Sequence, residues 1–258
     1  MSGALVWISG ASGGIGRALV ETVPWDGARV IGISRRPSAG AEHLEADLAD
    51  PASWPAVGKS FRSELERFEG DRVVFVHAAG ALEPIGYAGE VDTGAYTANV
   101  ILNSAASQVL GHLFLAAASA DSARSPGSPA APAAPAADGR HLVMLTSGAA
   151  TSVYEGWTSY GAGKAAIDQW VRAAGAEQET RGGVQVLAVA PGTVATAMQE
   201  RLRSTTDAQF PKRQKFLDLY EAGKLSDPNE VAAAMWRLLD AGLDNGSVID
   251  LRDLPGGR

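Results

Sequence analysis

Short apolar runs recur along the chain, and stretches with helical character separate them. The runs are rich in β-branched residues and lie at 4–9, 29–34, 72–77, 141–146, 184–190 and 247–251, with a further short strand predicted at 43–47. Near-continuous apolar character is typical of strands that are buried on both faces, as in a parallel sheet. The pattern therefore predicts an α/β fold with a doubly wound parallel sheet of about seven strands.

Helices are predicted between or after these strands, at 16–23, 60–68, 94–119, 159–178 and 228–242. The alternation extends from end to end of the 258 residues, which predicts one Rossmann-type domain over 1–258. One stretch departs from it. Residues 120–139 are rich in Ala and Pro and contain no aromatic residue, Val, Ile or Leu. We expect a flexible surface insertion there, because such a stretch buries too little apolar surface to offset its ordering entropy.

Composition excludes several classes of function. The chain has no cysteine, so disulfides, thiolate metal sites and cysteine catalysis are excluded. The net charge of −7 disfavours nucleic-acid binding, and the four scattered histidines predict no metal site. The first residues lack the basic region of a signal peptide, and no segment was expected to reach the length of a membrane span. We therefore expect a cytoplasmic protein without a membrane or nucleic-acid partner.

A glycine-rich turn follows the first strand. Residues 9–16 read SGASGGIG and lead into a helix, which is the context of a phosphate-binding loop. Glycines allow a close approach of the backbone to a pyrophosphate, and the helix N-terminus favours the anion. The loop residues predicted to bind a dinucleotide are Gly10, Ser12, Gly14, Ile15 and Gly16.

Two arginines follow the second strand. A fold that binds NAD usually carries Asp or Glu at this point to hold the ribose 2′-hydroxyl. Here Arg35 and Arg36 occupy it. Guanidinium groups pair with a 2′-phosphate that a carboxylate would repel. We therefore expect NADP(H) as the preferred cofactor, with NAD(H) as the alternative.

Tyr160 and Lys164 are four residues apart at the start of a predicted helix, so they share one face of it. We expect the ammonium to lower the pKa of the phenol, which would make Tyr160 a tuned acid and base. Ser147 ends the preceding strand, at the sheet edge where open α/β sheets place ligands. Its hydroxyl would hold the substrate oxygen against Tyr160.

These segments together resemble the short-chain dehydrogenase/reductase family. The matching motifs are SGASGGIG at 9–16, LTS at 145–147 and YGAGK at 160–164, with AAG at 78–80 and PGT at 191–193 in the same order. The resemblance implies hydride transfer between a nicotinamide and a carbonyl or alcohol.

The resemblance also assigns roles. Tyr160 would be the general acid and base, Lys164 would tune it and bind the nicotinamide ribose, and Ser147 would orient the substrate oxygen. An asparagine of the preceding helix would support a proton relay. Asn103 is the first candidate and Asn99, one turn earlier, is the alternative, unless it is an exposed helix residue.

Further cofactor contacts follow from the same resemblance. They involve Asp47, Leu48, Ala78, Ala79, Gly80, Pro191, Gly192, Thr193, Val194 and Thr196, together with Tyr160 and Lys164. One departure is clear, since the family's NNAG reads His77-Ala78-Ala79-Gly80 here. The side-chain bonds of those asparagines are absent, which puts the rigidity of this loop in doubt.

The last third of the chain is similar to the sepiapterin reductase and benzil reductase branch, notably at 190–203, 215–228 and 245–253, as is 77–86. The resemblance implies an NADPH-dependent carbonyl reductase that acts on a ketone or vicinal diketone. In the pterin reductases a carboxylate near the C-terminus holds the pterin, so Asp250 and Asp253 are positions to test, although ordinary strand-end charge also explains them. The alternatives are an alcohol dehydrogenase that works oxidatively and a non-catalytic NADP-binding regulator.

Two aromatic residues between Ser147 and Tyr160, namely Tyr154 and Trp157, are predicted to line the substrate pocket, with core packing as the alternative. The segment 194–225 would form a lid or a surface helix. The long helices at 94–119 and 159–178 resemble those that pair in this family, so a homodimer or homotetramer is expected, with burial inside the monomer as the competing explanation.

Overall fold

The computed structural model describes residues 3–122, 139–181 and 183–254. They form a Rossmann-type domain in which seven parallel strands make one sheet. The strands are β1 Ala4–Ser9, β2 Arg29–Ser34, β3 Glu42–Glu45, β4 Arg72–His77, β5 Arg140–Leu145, β6 Gln185–Ala190 and β7 Val248–Asp250. The sheet order is β3-β2-β1-β4-β5-β6-β7, so the predicted fold class is confirmed.

Helices flank the sheet on both sides. They are α1 Gly14–Glu21, α2 Trp54–Leu65, α3 Thr93–Val100, α4 Ala106–Ser122, α5 Thr158–Arg181, α6 Ala197–Arg203, α7 Arg213–Glu221 and α8 Pro228–Leu238. A π-helical turn, Ile101–Ala105, joins α3 to α4. Short 3-10 turns lie at Pro51–Ser53, Gly148–Ala150 and Leu251–Asp253.

Each face of the sheet has its own apolar core, because alternate side chains of a strand point to opposite faces. On one face Trp7 and Phe75 pack against Phe61 of α2 and Phe114 of α4, with ring centroids 5.0 to 6.2 Å apart. On the other face the strands pack against α1 and α8, with Trp236 prominent. Both faces are therefore covered, as the apolar runs predict.

The helix boundaries differ from the predicted ones by up to six residues. Helix α2 begins at Trp54 rather than at residue 60, and α1, α2 and α8 end two to four residues before the predicted ends. Helices α6 and α7 were predicted only as part of a lid or surface helix. The predicted insertion at 120–139 lies mostly outside the described residues, although α4 continues to Ser122.

One expectation about membranes needs a correction. The continuous helical stretch Thr93–Ser119 is long and apolar enough to cross a membrane when judged by length and composition alone. In the fold this stretch packs against α2 and α5 and contributes Leu110 and Phe114 to the core. The core helix of a soluble protein passes the same criterion, so it is weak evidence for a span.

The parallel arrangement brings the carboxyl ends of all seven strands to one edge of the sheet. The glycine turn follows β1, Arg35 follows β2, Ala78 follows β4 and Ser147 lies just beyond β5. The chain reverses its direction of winding between β1 and β4, and open α/β sheets bind ligands at such a point.

Candidate active site

The glycine turn has a backbone that only glycine fits at two positions. Gly10 has a φ of +69°, and a Cβ there would lie 3.0 Å from the backbone of Ala79. A Cβ at Gly16 would lie 2.2 Å from the carbonyl oxygen of Gly10. The turn is therefore packed tightly against the β4 loop on one side and against α1 on the other.

The N-terminus of α1 fits a phosphate. Its N-cap residue is Gly13, which makes no side-chain capping bond, and the first turn holds no acidic residue. A Cβ added at Gly13 would meet nothing within 4 Å, whereas one at Gly14 would come within 3.5 Å of Thr196. Free N–H groups at a helix N-terminus beside open space suit a pyrophosphate, so these residues fit the cofactor that the sequence predicts.

A hydroxyl supports the loop after β4. The fully buried Ser9 Oγ accepts hydrogen bonds from the N–H groups of Ala78 and Ala79, each at 3.1 Å. It also lies 3.1 Å from Nδ1 of His77. Because Ser9 accepts twice, its own proton is directed to His77 Nδ1. Ser9 thus gives this loop hydrogen bonds that do not depend on the family's asparagines.

The two arginines after β2 are exposed, and neither forms an ion pair among the described residues. Ser34 Oγ donates to the carbonyl of Arg36 at 2.6 Å and so shapes the turn that carries both guanidinium groups. Asp47 is exposed after β3 and caps its own turn by accepting from the N–H of Ala49. Leu48 beside it is buried.

The structure brings Ser147, Tyr160 and Lys164 together. Ser147 caps the 3-10 turn after β5, where its hydroxyl accepts from the N–H of Ala149. Its side chain is also hydrogen-bonded to the Tyr160 phenol. Lys164 is buried one turn along α5, with Nζ 5.7 Å from the centre of the Tyr160 ring. This is the constellation that the sequence predicts.

The expected lowering of the Tyr160 pKa is wrong for this structure. Burial raises the pKa of Tyr160, and the hydrogen bond from Ser147 lowers it by less. The Lys164 ammonium contributes little because it turns away and donates to the Leu145 carbonyl at 2.8 Å. Burial also lowers the pKa of Lys164 to about 8, against the attraction of Asp168. At neutral pH Tyr160 therefore holds its proton and Lys164 stays charged.

Asn103 lies in the π-helical turn and faces the same centre. Its amide is paired with the backbone of Ala81, accepting from the N–H at 3.1 Å and donating to the carbonyl at 2.8 Å. A Cβ at Gly80 would lie 2.9 Å from Asn103 Oδ1 and 3.6 Å from Lys164 Nζ, so the two side chains are near neighbours. Such π-helical insertions are frequent at functional sites.

Asn99 is buried as well, so it is not the exposed helix residue considered for it. Its amide donates to the carbonyls of Ala81 and Glu83. These contacts hold the loop after Gly80, farther along from Lys164. The geometry thus favours Asn103 as the relay candidate and makes Asn99 a support of the loop.

Tyr154 and Trp157 belong to an aromatic cluster beside Tyr160. The Trp157 ring lies 5.3 Å from Tyr160 and 5.1 Å from Tyr154. Two residues of the 194–225 segment complete the cluster. Phe210 lies 4.6 Å from Trp157, and Phe216 at the start of α7 lies 5.6 Å from it. The rings pack together, as the core alternative predicts, and the role of Tyr154 and Trp157 in lining a substrate pocket stays a prediction.

The loop after β6 also lies at this edge. Pro191, Gly192 and Thr193 are half-buried, Val194 is buried, and Ser226 bonds to the backbone on either side of Val194. Arg252 lies against the loop, because a Cβ at Gly192 would come within 3.3 Å of its Cγ. Asp250 is paired with Arg252, whereas Asp253 is exposed.

Sequence reasoning missed several contributors to the site. They are Ser9, His77, Phe210, Phe216, Lys215 and Arg252. His77 was noted only as a departure from the family motif. Phe210, Phe216 and Lys215 lie in the segment 194–225, which was predicted as a lid or a surface helix without a role for these three residues. Their contacts with Tyr154 and Trp157 join residues distant in sequence, so no local pattern indicates them.

Comparison with known proteins agrees with the fold. The family model for short chain dehydrogenase matches residues 130–207. A crystal structure of a short chain dehydrogenases/reductase from Saccharomyces cerevisiae has a TM-score of 0.76, at 21% identity, and the alignment covers 98% of each chain. A putative NAD(P) dependent gluconate 5-dehydrogenase from Beutenbergia cavernae, with bound NADP, has a TM-score of 0.73 at 25% identity over 97% of this chain and 95% of that one.

The chain is similar to the short-chain dehydrogenase/reductase family of oxidoreductases. NAD(P)(H) is the cofactor of this family. The chain is also similar to relatives named benzil reductase ((S)-benzoin forming). The one from Bacillus subtilis is 28% identical over 95% of this chain and 97% of its own. The one from Saccharomyces cerevisiae is 28% identical over 97% of each chain.

The buried His77 makes stability depend on pH. Burial, with the charge of Lys164, lowers the pKa of His77 from 6.5 to about 3. At a pH between these two pKa values, His77 is protonated in the unfolded chain but not in the folded chain. The free energy of unfolding therefore decreases as the pH falls below 6.5. When the pH is lowered from 7 to 5, we expect the free energy of unfolding to decrease by about 2 kcal/mol less in His77→Asn than in the wild type. Urea denaturation at both pH values measures this.

His112→Asn is the matched control, since His112 is exposed on α4. It should follow the wild-type curve. Parallel pH dependences for the wild type and His77→Asn would show that His77 is charged in the folded protein or that it does not titrate on unfolding.

Proposed function

We propose that the protein is an NADPH-dependent carbonyl reductase that reduces a ketone or vicinal diketone. One observation carries the proposal: the paired hydroxyls of Ser147 and Tyr160 lie at the sheet edge that also holds the glycine turn and the unpaired N-terminus of α1. The relatives named benzil reductase, similar over the whole chain, support the vicinal diketone as substrate class.

The proposed reaction uses the two hydroxyls on one oxygen. When bound, the nicotinamide cofactor supplies a hydride to the carbonyl carbon. Ser147 holds the carbonyl oxygen, and Tyr160 gives its phenolic proton to that oxygen as negative charge develops there. The alcohol is the product, and the Tyr160 phenolate is left beside Lys164.

The protonation states favour reduction. Tyr160 holds its proton at neutral pH because burial raises its pKa, and this is the form that a general acid needs. Lys164 and Asn103 lie close together beside Gly80. In the proposed reaction, Asn103 supports the return of a proton to the phenolate. For the ammonium of Lys164 to stabilise the phenolate after the transfer, it would have to turn from the Leu145 carbonyl toward the phenolate oxygen.

Removal of the acid tests the reaction. We expect Tyr160→Phe to lower kcat for benzil by about 10²–10⁴-fold, because general acid catalysis contributes that much. Loss of NADPH absorbance measures the rate, and calorimetry checks that the variant still binds NADPH. Tyr220→Phe is the control, because that tyrosine is exposed on α7. Unchanged turnover in Tyr160→Phe would reject the mechanism, and cofactor binding without any wild-type turnover would favour a binding regulator.

The preference for NADPH rests on Arg35 and Arg36. Both are exposed at the carboxyl end of β2 and make no ion pair in the described part of the chain. Both guanidinium groups are therefore available to pair with a 2′-phosphate. No carboxylate, which would repel the phosphate, occupies the two positions that follow Ser34.

The double variant Arg35→Ala/Arg36→Ala tests this preference. We expect its Kd for NADPH to rise about 30-fold, equal to about 2 kcal/mol for the lost charged hydrogen bonds, while its Kd for NADH stays the same. Titration calorimetry with both cofactors measures the two constants. Arg67→Ala, on an exposed arginine beyond α2, is the control. An equal loss for both cofactors would show that the arginines do not read the phosphate.

We further propose a homodimer in the cytoplasm, from which a tetramer could assemble. Val100 on the α3–α4 stretch is 40% exposed, and only 39% of the most apolar part of Thr93–Ser119 is buried. Pairing of this stretch and α5 with a second copy would cover it. Sedimentation equilibrium is expected to give twice or four times the mass of 26.6 kDa. A monomer at micromolar concentration would contradict the assembly.

A further inference from the structure

The rings of the aromatic cluster extend in a row away from Tyr160. Trp157 contacts Tyr160, and Tyr154 lies on the far side of Trp157 at 5.1 Å between ring centres. Phe210 stacks on Tyr154 with the two ring planes only 16° apart. An apolar or aromatic substrate body held at Tyr160 would follow this row toward Tyr154.

Cations surround the outer end of the row. Lys212 and Lys215 each place Nζ 5.2 Å from the centre of the Tyr154 ring. Arg252 approaches from the opposite loop, where a Cβ at Gly148 would lie 3.5 Å from its Nη2. We call Lys212, Lys215 and Arg252 the cationic rim.

Two of the three cations already have carboxylate partners. Arg252 makes two hydrogen bonds to the carboxylate of Asp250. Lys212 lies 3.8 Å from Glu155 and donates to the carbonyl of Val153.

Lys215 differs from both. Among the described residues no carboxylate lies within 4 Å of its ammonium. Its polar contact is the hydroxyl of Tyr154, to which it donates at 2.8 Å. It also lies 5.7 Å from the Phe216 ring. The ammonium is thus held at the edge of the aromatic cluster by neutral groups and keeps its charge uncompensated.

We propose that the substrate carries a carboxylate at the end of its apolar body remote from the reacting carbonyl, and that Lys215 binds this group. The inference rests on the proposed reductase function and adds the charge of its substrate. One uncompensated ammonium matches one carboxylate charge. The two rings between Tyr160 and Lys215 place the anion away from the carbonyl rather than beside it.

Three diketones of the same skeleton test the proposal with the NADPH-loaded enzyme. They are benzil, 4-(2-oxo-2-phenylacetyl)benzoate and the methyl ester of that acid. The measured quantity is the ratio of kcat/KM for the acid to kcat/KM for the ester. A substitution that changes lid closure alters both values equally, so its effect cancels in the ratio. We expect a ratio of about five in the wild type, and a fall toward one as salt screens the exposed pair.

Substitutions test whether Lys215 causes the preference for the acid over the ester. Lys215→Met should bring the ratio to about one, and Lys215→Arg should restore it because the charge returns. Lys59→Met, on exposed α2, is the matched control and should keep the wild-type ratio. Tyr154→Phe removes the hydroxyl that Lys215 contacts but leaves the charge, so it should keep a ratio above one.

Each remaining outcome decides the matter. A wild-type ratio of one, or a ratio that Lys215→Met does not change, overturns the carboxylate proposal and leaves Lys215 as a contact that fastens α7 to Tyr154. Calorimetric binding of acid and ester to the NADP⁺-loaded enzyme is measured in parallel. If none of the three compounds is reduced, the reductase proposal fails, while tighter binding of the acid that Lys215→Met abolishes still supports the anion site.

Discussion

The parallel hydrogen bonding of the sheet is the constraint on which the rest of the structure depends. Parallel strands need long crossovers, so helices must cover both faces, and the strand interiors must be apolar on both sides. Trp7 and Ile8 show the result, since neighbouring residues of one strand are both fully buried against different helices. The same geometry collects every carboxyl end at one edge. Ser147, Arg35 and the glycine turn lie along the same edge because of it.

At that edge, order comes from bonds between loops rather than within them. Ser9 holds the loop after β4 from the end of β1, and Asn103 and Asn99 hold the continuation of that loop from the other side. Gly10 lets the two loops pack closely, since a Cβ at this position would lie 3.0 Å from the backbone of Ala79. These bonds are present without a ligand, so a cofactor bound at this edge would pay a lower ordering cost.

Much of this could be predicted from the sequence, because the signals are local. Apolar runs of four to seven residues identify strands, and the four-residue spacing of Tyr160 and Lys164 fixes a shared helix face. Contacts across the fold had no such signal. The Ser9–His77 bond joins residues 68 positions apart, and Lys215 reaches Tyr154 across 61. The pKa of Tyr160 also escaped prediction, since spacing places the ammonium nearby but only the fold shows that it donates to Leu145 instead.

The packing of Phe210 has a consequence for ligand size. Trp157 is 7% exposed, so a ligand that packs against its ring has to displace Phe210 or Phe216. Separating one such pair of rings costs about 0.5–1.5 kcal/mol beyond the area that it uncovers. A compound with an aryl group replaces the lost contact with its own ring, whereas a short aliphatic ketone replaces little of it. If the substrate packs against Trp157 as proposed, discrimination against small carbonyl compounds would arise from the energy of opening this cluster rather than from the shape of the opened cavity.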